Sequence, residues 1–172
     1  MTELAVGLVS QAAAQAQSSA TAQVLKRKFQ GISGKYQAAF NNKDAAGVAA
    51  LFAESGVLIV GVPGNQVFSG RQAVEDFYEG AFKQGSSDLQ VTVEDVHSSG
   101  EVSWTRGSFT EMRPPMQGGS GLVQVQGLFG SVYEREGDDH KIVQLTVFLK
   151  PTAPTQPAVG SSTPPASEST SK

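Results

Sequence analysis

Residues 69–93 read SGRQAVEDFYEGAFKQGSSDLQVTV, and the hydrophobic period changes within them from helical to extended. The first half has apolar side chains at spacings of three and four residues, which predicts an amphipathic helix. Ser69 and Gln72 predict a capping box at its start, and Gly85 predicts its end. Apolar and polar residues then alternate over positions 89–93, which is typical of a strand. A helix followed by a strand is therefore the expected local structure.

Two further helices and a strand pair are predicted before this segment. Apolar residues share one helical stripe that ends near Asn42. They are Leu25, Phe29, Ile32, Tyr36 and Phe40. Asp44 offers its carboxylate as the N-cap of a short helix with apolar residues within positions 48–52. The β-branched run at 57–62 predicts a strand, and the Pro-Gly-Asn turn after it lets residues 67–68 pair back.

Three more extended stretches follow the strand at 89–93. They cover residues 102–112, 122–134 and 141–149. Short turns rich in glycine, proline and aspartate separate them, which predicts an antiparallel meander. We therefore expect an α+β fold in which three N-terminal helices pack on a strongly curved antiparallel β-sheet.

The two ends of the chain differ in composition from the middle. Within residues 1–23, positions 10–23 have alanine as their only apolar residue, which predicts a frayed or helical N-terminal arm. Residues 151–172 are rich in proline, serine and threonine, a composition typical of a disordered tail. One folded domain is expected over residues 24–150.

Composition and charge exclude several classes of partner. The formal net charge is -3, which argues against nucleic acid as a partner. Because the chain has no cysteine, it has no disulfide and no thiolate nucleophile. No apolar run approaches the roughly 18 residues that span a bilayer, so we expect a cytoplasmic protein with no membrane partner. Gly118 and Gly119 precede no helix or lysine that would complete a phosphate loop, and no cofactor or metal is predicted.

The order and spacing of several motifs resemble those of the nuclear transport factor 2-like superfamily. The motifs are Tyr36-Gln-Ala-Ala-Phe40, Leu51-Phe52-Ala53 and Ser69-Gly70, and the resemblance covers about residues 24–149. This superfamily includes ketosteroid isomerases and SnoaL-like polyketide cyclases, and its cystatin-like cone usually opens to a pocket at the wide end. The resemblance implies the same cone and a ligand pocket in this chain.

Compared position by position, the resemblance implies that the isomerase mechanism is lost. Tyr36 matches the tyrosine that stabilises an enolate oxygen. Val60 occupies the position of the general base and Ser131 that of the acid, and neither residue has a carboxyl group. Leu145 stands where many SnoaL-like relatives have an acidic residue. We therefore expect an apolar pocket without carboxyl groups, and whether any enzymatic activity remains is an open question at this point.

The leading hypothesis is a non-catalytic domain that binds a small hydrophobic molecule. Tyr36 is its polar contact and the best candidate for a catalytic residue. The full set of expected ligand contacts is Tyr36, Phe52, Val60, Phe77, Trp104, Arg106, Tyr133 and Leu145. The alternative is an isomerase, cyclase or dehydratase that acts on an apolar carbonyl compound, with Asp95, His97 or Glu111 as the base. A third hypothesis is an interaction module that forms a homodimer through the outer sheet face, where Phe129 and Phe148 would supply apolar surface.

The alternation of side chains along residues 102–112 leaves two orientations open. Trp104 and Arg106 share one face of this strand. The other face carries Ser103, Thr105, Gly107, Phe109 and Glu111. If the Trp104 face points inward, Arg106 is a cationic anchor for a carboxylate-bearing ligand. If it points outward, Arg106 is a surface residue beside Glu94 or Glu111.

Overall fold

The computed structural model of the chain describes residues 3–61, 65–115 and 120–150. Three helices and six strands follow one another within these residues. They are α1 (Glu3–Asn41), α2 (Ala45–Ala49), β1 (Phe52–Gly61), β2 (Gln66–Ser69), α3 (Arg71–Lys83), β3 (Ser87–Ser99), β4 (Val102–Arg113), β5 (Val123–Glu136) and β6 (Asp139–Leu149). The predicted disordered tail at 151–172 lies outside the described residues.

The six strands form one mixed sheet in the order β2-β1-β6-β5-β4-β3. Strands β3 to β6 form the expected antiparallel meander, and β1 pairs with β2 as predicted. The prediction of a wholly antiparallel sheet is wrong, because β1 lies parallel to β6, with Leu58 opposite Leu145. Strands β1 and β2 lie between α2 and α3, where the sequence predicts a strand pair. The α+β class is as expected.

Helix α1 lies across the sheet and is bonded to the edge strand β3. The predicted apolar stripe faces the core, where Phe29 and Phe40 are buried and Ile32 and Tyr36 pack against them. Asn41 binds the backbone of Leu89 through both side-chain atoms, at 2.8 Å for the accepted bond and 3.0 Å for the donated bond. These bonds satisfy backbone groups of β3 that have no neighbouring strand on that side.

The N-cap of α2 is as predicted, whereas that of α3 is not. The Asp44 N-cap is confirmed, because its carboxylate accepts a hydrogen bond from the Gly47 amide at 2.8 Å. The capping box at Ser69 is wrong: Gly70 is the N-cap of α3 without a side-chain bond, and the Gln72 amide binds Asp76 instead. Gly70 has a φ of 86°, a conformation that glycine adopts without a steric penalty. Its amide donates to the Gly56 carbonyl at 2.8 Å, which ties the start of α3 to β1.

The apolar core fills the space between the helices and one face of the sheet. Phe52, which was predicted to lie in the second helix, instead begins β1 and is fully buried, because α2 ends at Ala49. No helix in the described part of the chain combines the length and the apolar character that crossing a bilayer requires. The remaining face of the sheet carries the exposed side chains Trp104, Leu128 and Phe148.

Gly107 lets β3, β4 and the ring of Phe129 approach one another closely, and Gly107→Ala is expected to be strongly destabilising. A Cβ atom there would overlap the backbone oxygen of Thr92 and lie 2.8 Å from the Phe129 ring. Because a backbone atom cannot move aside cheaply, we expect a loss of about 2–3 kcal/mol in the free energy of unfolding. Urea denaturation measures this loss.

Gly130 on β5 is the matched control for this substitution. A Cβ atom at Gly130 meets no heavy atom within 4 Å, so Gly130→Ala is expected to change stability by no more than about 0.5 kcal/mol. Equal destabilisation by the two substitutions would contradict the close approach inferred at Gly107.

Candidate functional site

A cavity of about 90 Å³ lies between α1, α3 and the inner face of the sheet. Its wall is mainly apolar. The apolar lining includes Ile32, Phe40, Val60, Phe77, Ala81, Leu89, Phe109, Phe129, Leu145 and Val147. The polar residues of the wall are three tyrosines, three serines, one acidic residue and one basic residue. They are Tyr36, Tyr78, Tyr133, Ser33, Ser86, Ser131, Glu111 and Arg113.

The structure places five of the eight expected ligand contacts at the cavity wall: Tyr36, Val60, Phe77, Tyr133 and Leu145. Phe52 is buried in the core and is not among the lining residues. Trp104 and Arg106 lie on the other side of the sheet, so their assignment to the pocket is corrected.

The burial pattern of β4 fixes which of its faces points inward. Ser103, Thr105 and Phe109 are buried, whereas Trp104 is 41% exposed. Arg106 forms an ion pair with Asp95, not with Glu94 or Glu111, and this pair lies at the outer surface. His97 stacks on Trp104 with the ring centroids 4.3 Å apart. The outer face therefore holds two of the three residues proposed as a base, and neither lines the cavity.

The third proposed base, Glu111, lines the cavity. The three positions checked through the family resemblance, Val60, Ser131 and Leu145, also line it and have no carboxyl group. The expectation of a pocket without carboxyl groups is nevertheless wrong, because an acidic residue enters the wall from β4. The strand alternation that includes Glu111 and Phe109 on one face was the signal for this position.

Tyr36 on α1 and Tyr78 on α3 form a hydrogen-bonded pair at the cavity wall. Their rings meet edge to face, with centroids 6.0 Å apart. Burial raises the pKa of both hydroxyls above the usual tyrosine range, and the negative charge of Glu111 acts in the same direction. Both tyrosines are therefore neutral hydrogen-bond donors at physiological pH. Tyr78 was read from the sequence as an apolar helix position, and its hydroxyl partner was not foreseen.

Glu111 and Arg113 form a second polar group, near the end of β4. One carboxylate oxygen of Glu111 lies 3.5 Å from Nη1 of Arg113, and their side chains are 12% and 26% exposed. Burial raises the pKa of Glu111, while the positive charges of Arg113 and Lys43 act against that shift. Arg113 was not singled out in the sequence, although it shares the inward face of β4 with Glu111.

Two expectations for other strands change with these positions. Phe129 lines the cavity and is buried, so it does not contribute to the outer face. On β6, the side chains that line the cavity are Ile142, Leu145, Val147 and Leu149, whereas the alternation along the strand predicts Val143 in place of Ile142. The register between β5 and β6 shifts between Val132 and Tyr133, which brings Ile142 to the inner face.

Metal binding has no donor set among residues 3–61, 65–115 and 120–150. No three histidine or acidic side chains of these ranges lie close enough together to hold an ion. The polar groups of the cavity are instead the tyrosine pair and the Glu111–Arg113 pair, which can donate hydrogen bonds, attract an anion, or exchange a proton.

The fold agrees with the comparisons with known proteins. The model of the SnoaL-like domain family matches residues 34–145. None of the curated proteins matches the chain. Among solved structures, a ketosteroid isomerase-like protein from Erwinia carotovora atroseptica has a TM-score of 0.62 and 16% identity, over 73% of this chain and 96% of that one.

Two further solved structures have the same fold. An NTF2-like protein with a cystatin-like fold from Novosphingobium aromaticivorans has a TM-score of 0.59 and 14% identity, over 81% of this chain and 88% of that one. A conserved protein from Planctomyces limnophilus has a TM-score of 0.62 and 13% identity, over 74% of this chain and 97% of that one. At these identities the likeness is one of fold. Because the family model spans most of the folded domain, the chain belongs to the SnoaL-like domain family.

Proposed function

We propose that this domain binds a small, mainly apolar molecule in the cavity and holds one oxygen atom of that molecule at the tyrosine pair. The observation that carries this proposal is the convergence of two neutral hydroxyls on a mainly apolar wall. One hydroxyl proton is used in the bond between Tyr36 and Tyr78, and the other is free to be donated. Hydrogen bonds in such a chain strengthen one another.

The cavity volume limits the size of the ligand. The cavity has a volume of about 90 Å³. Pockets for drug-sized ligands are larger, about 300–1,000 Å³. The proposed ligand is therefore a compound of a few heavy atoms, and a polycyclic molecule would require the wall to move.

Tyr36→Phe and Tyr78→Phe are each expected to weaken the binding of a small ketone such as methyl isobutyl ketone. Each variant loses one hydrogen bond, either the bond to the ligand oxygen or the bond that polarises the donating hydroxyl, which predicts a dissociation constant about 2- to 10-fold higher. Titration followed by NMR chemical shifts measures this change. Tyr133→Phe is the control and is expected to leave the affinity unchanged, because Tyr133 lines the same cavity but its hydroxyl lies 3.4 Å from that of Thr105 and is not part of the tyrosine pair. Unchanged affinity in both tyrosine-pair variants would count against the proposed contact.

A second candidate function is proton transfer beside a carbonyl group. It is supported by the presence of Glu111 in the same cavity as the tyrosine pair. In this reaction the Glu111 carboxylate takes a proton from the carbon next to the carbonyl, and a tyrosine hydroxyl stabilises the negative oxygen that forms. The burial that raises the pKa of Glu111 makes its carboxylate a stronger base. Isomerisation, cyclisation and dehydration all can begin with this step.

Homodimer formation through the outer sheet face stays a separate prediction. Its support is the exposed apolar surface of Trp104, Leu128 and Phe148, where Leu128 and Phe148 are direct neighbours in the β5–β6 register. Sedimentation velocity distinguishes a dimer from a monomer, and a monomer at tens of micromolar would contradict the prediction.

A further inference from the structure

Arg113 has donor groups that no described residue uses. It lines the cavity, and its Nε is buried without a hydrogen-bond partner among the residues of the described ranges. Buried polar atoms in proteins are almost always bonded, so a buried guanidinium donor beside a cavity calls for an acceptor. An arginine side chain offers five N–H donors in a planar fork.

Glu111 satisfies Arg113 only in part. The 3.5 Å separation between the Glu111 oxygen and Nη1 is longer than a good charge-assisted hydrogen bond, which measures about 2.7–2.9 Å. The contact runs through Nη1 and leaves Nε and Nη2 for another group. A carboxylate can bind both of these atoms at once, because the spacing of its two oxygens matches the guanidinium fork.

The charges around this end of the cavity favour an anion. Arg113 lines the cavity, and the Lys43 ammonium donates a hydrogen bond to the carbonyl of Ser86, another lining residue; both positive charges act on Glu111, whereas Tyr36 and Tyr78 are neutral. Two cations beside one carboxyl group leave the region with a net positive charge whether Glu111 is ionised or protonated. A ligand with a single negative charge would reduce this excess.

We propose that the natural ligand is a small monocarboxylate with a compact apolar body, whose carboxylate binds Arg113 while the body fills the apolar part of the cavity. This inference rests on the proposed function and adds the chemical class of the ligand to it: the acid carries its carboxylate at Arg113 and a second oxygen, such as a keto oxygen, at the tyrosine pair. The cavity volume requires a short acid, for example one with the size of isovalerate. Arg113 thereby takes the anchoring role that the sequence had suggested for Arg106, which lies on the opposite face of the sheet.

The test compares two probes of the same shape, isovalerate and methyl isobutyl ketone, in which a methyl group replaces the charged oxygen. Each is titrated into the full chain and followed by NMR chemical shifts. Wild type is expected to bind isovalerate at least about 10-fold more tightly than the ketone, which is typical of a hydrogen bond to a charged group. Arg113→Gln is expected to abolish this preference. Arg106→Gln, a substitution of an outer-face arginine, is expected to keep it.

The outcomes separate this inference from the proposed function. If the ketone binds in the cavity and isovalerate binds no more tightly, the inference that the ligand is a monocarboxylate is wrong, and the proposed apolar binding site stands. If neither probe binds, both proposals fail. A preference for isovalerate that survives in Arg113→Gln would also overturn the inference. Should Arg113→Gln fail to fold, the comparison of the two probes in wild type still decides, and Lys43→Gln is expected to reduce the preference.

Discussion

Phe29→Ala is expected to lower the free energy of unfolding by about 3–5 kcal/mol. Phe29 is fully buried on α1 and belongs to the apolar core between this helix and the sheet. Its ring centroid lies 4.8 Å from that of Tyr133 on β5 and 5.3 Å from that of His140 on β6. Removal of the ring leaves a cavity between two layers that cannot collapse without moving α1. Urea denaturation monitored by circular dichroism measures the change.

Phe148→Ala is the matched control for Phe29→Ala. Phe148 is 52% exposed on the outer face of β6, so its truncation is expected to cost no more than about 1 kcal/mol. A similar cost for the two substitutions would mean that α1 is not held by its apolar stripe. That result would also remove the helix wall on which the cavity depends.

Glu111→Gln is expected to slow proton exchange at a ketone by about 100- to 10,000-fold, if Glu111 acts as a general base. The measurement is the rate at which methyl isobutyl ketone loses its α-hydrogen signals in D₂O, read by NMR. Only the carboxylate form accepts a proton. The wild-type rate is therefore expected to rise with pH through the pKa of Glu111, which lies above its ordinary value.

Asp95→Asn is the control for the exchange measurement, because Asp95 is another of the three bases proposed from the sequence and lies on the outer face in an ion pair with Arg106. It is expected to leave the rate unchanged. If wild type exchanges the α-hydrogens of the ketone no faster than buffer alone does, the proton-transfer function is contradicted and ligand binding alone stands. Undiminished exchange in Glu111→Gln would assign the base to another group.

Stability gives an independent check on the state of Glu111. Because its pKa is raised in the folded chain, the folded chain holds more protons than the unfolded chain between the ordinary pKa and the raised one. The contribution of Glu111 to stability is therefore greatest at low pH and is lost as pH rises through that window. Glu111→Gln removes this pH dependence.

Local patterns in the sequence were sufficient for most of the elements. The stripe of α1, the Asp44 cap and the β3–β6 meander depend on neighbours a few residues apart, and each has the expected place. The parallel pairing of β1 with β6 joins residues about 87 positions apart, as Leu58 opposite Leu145 shows. No local pattern encodes such a pairing, because it depends on how the layers pack.

The site was predicted less completely than the fold. Tyr36 and Val60 were placed at the pocket through the family resemblance, and both line the cavity. The orientation of β4 was left open, because both of its faces carry aromatic and polar residues. The position of Glu111 and Arg113 at the cavity depends on that orientation. Their role became visible only when the burial of Thr105 and Phe109 fixed the inward face.

The most direct test of the account is an NMR titration of methyl isobutyl ketone into wild type and into Ala81→Leu. Ala81 lines the cavity on α3, and the leucine adds three carbon atoms to a space of about 90 Å³. Ala73→Leu, on the same helix but not among the lining residues, controls for the larger side chain. In wild type and Ala73→Leu, the NMR signals of the residues that line the cavity are expected to shift and to saturate as ketone is added. In Ala81→Leu no such shifts are expected. Equal shifts in all three proteins, or none in wild type, would contradict the account.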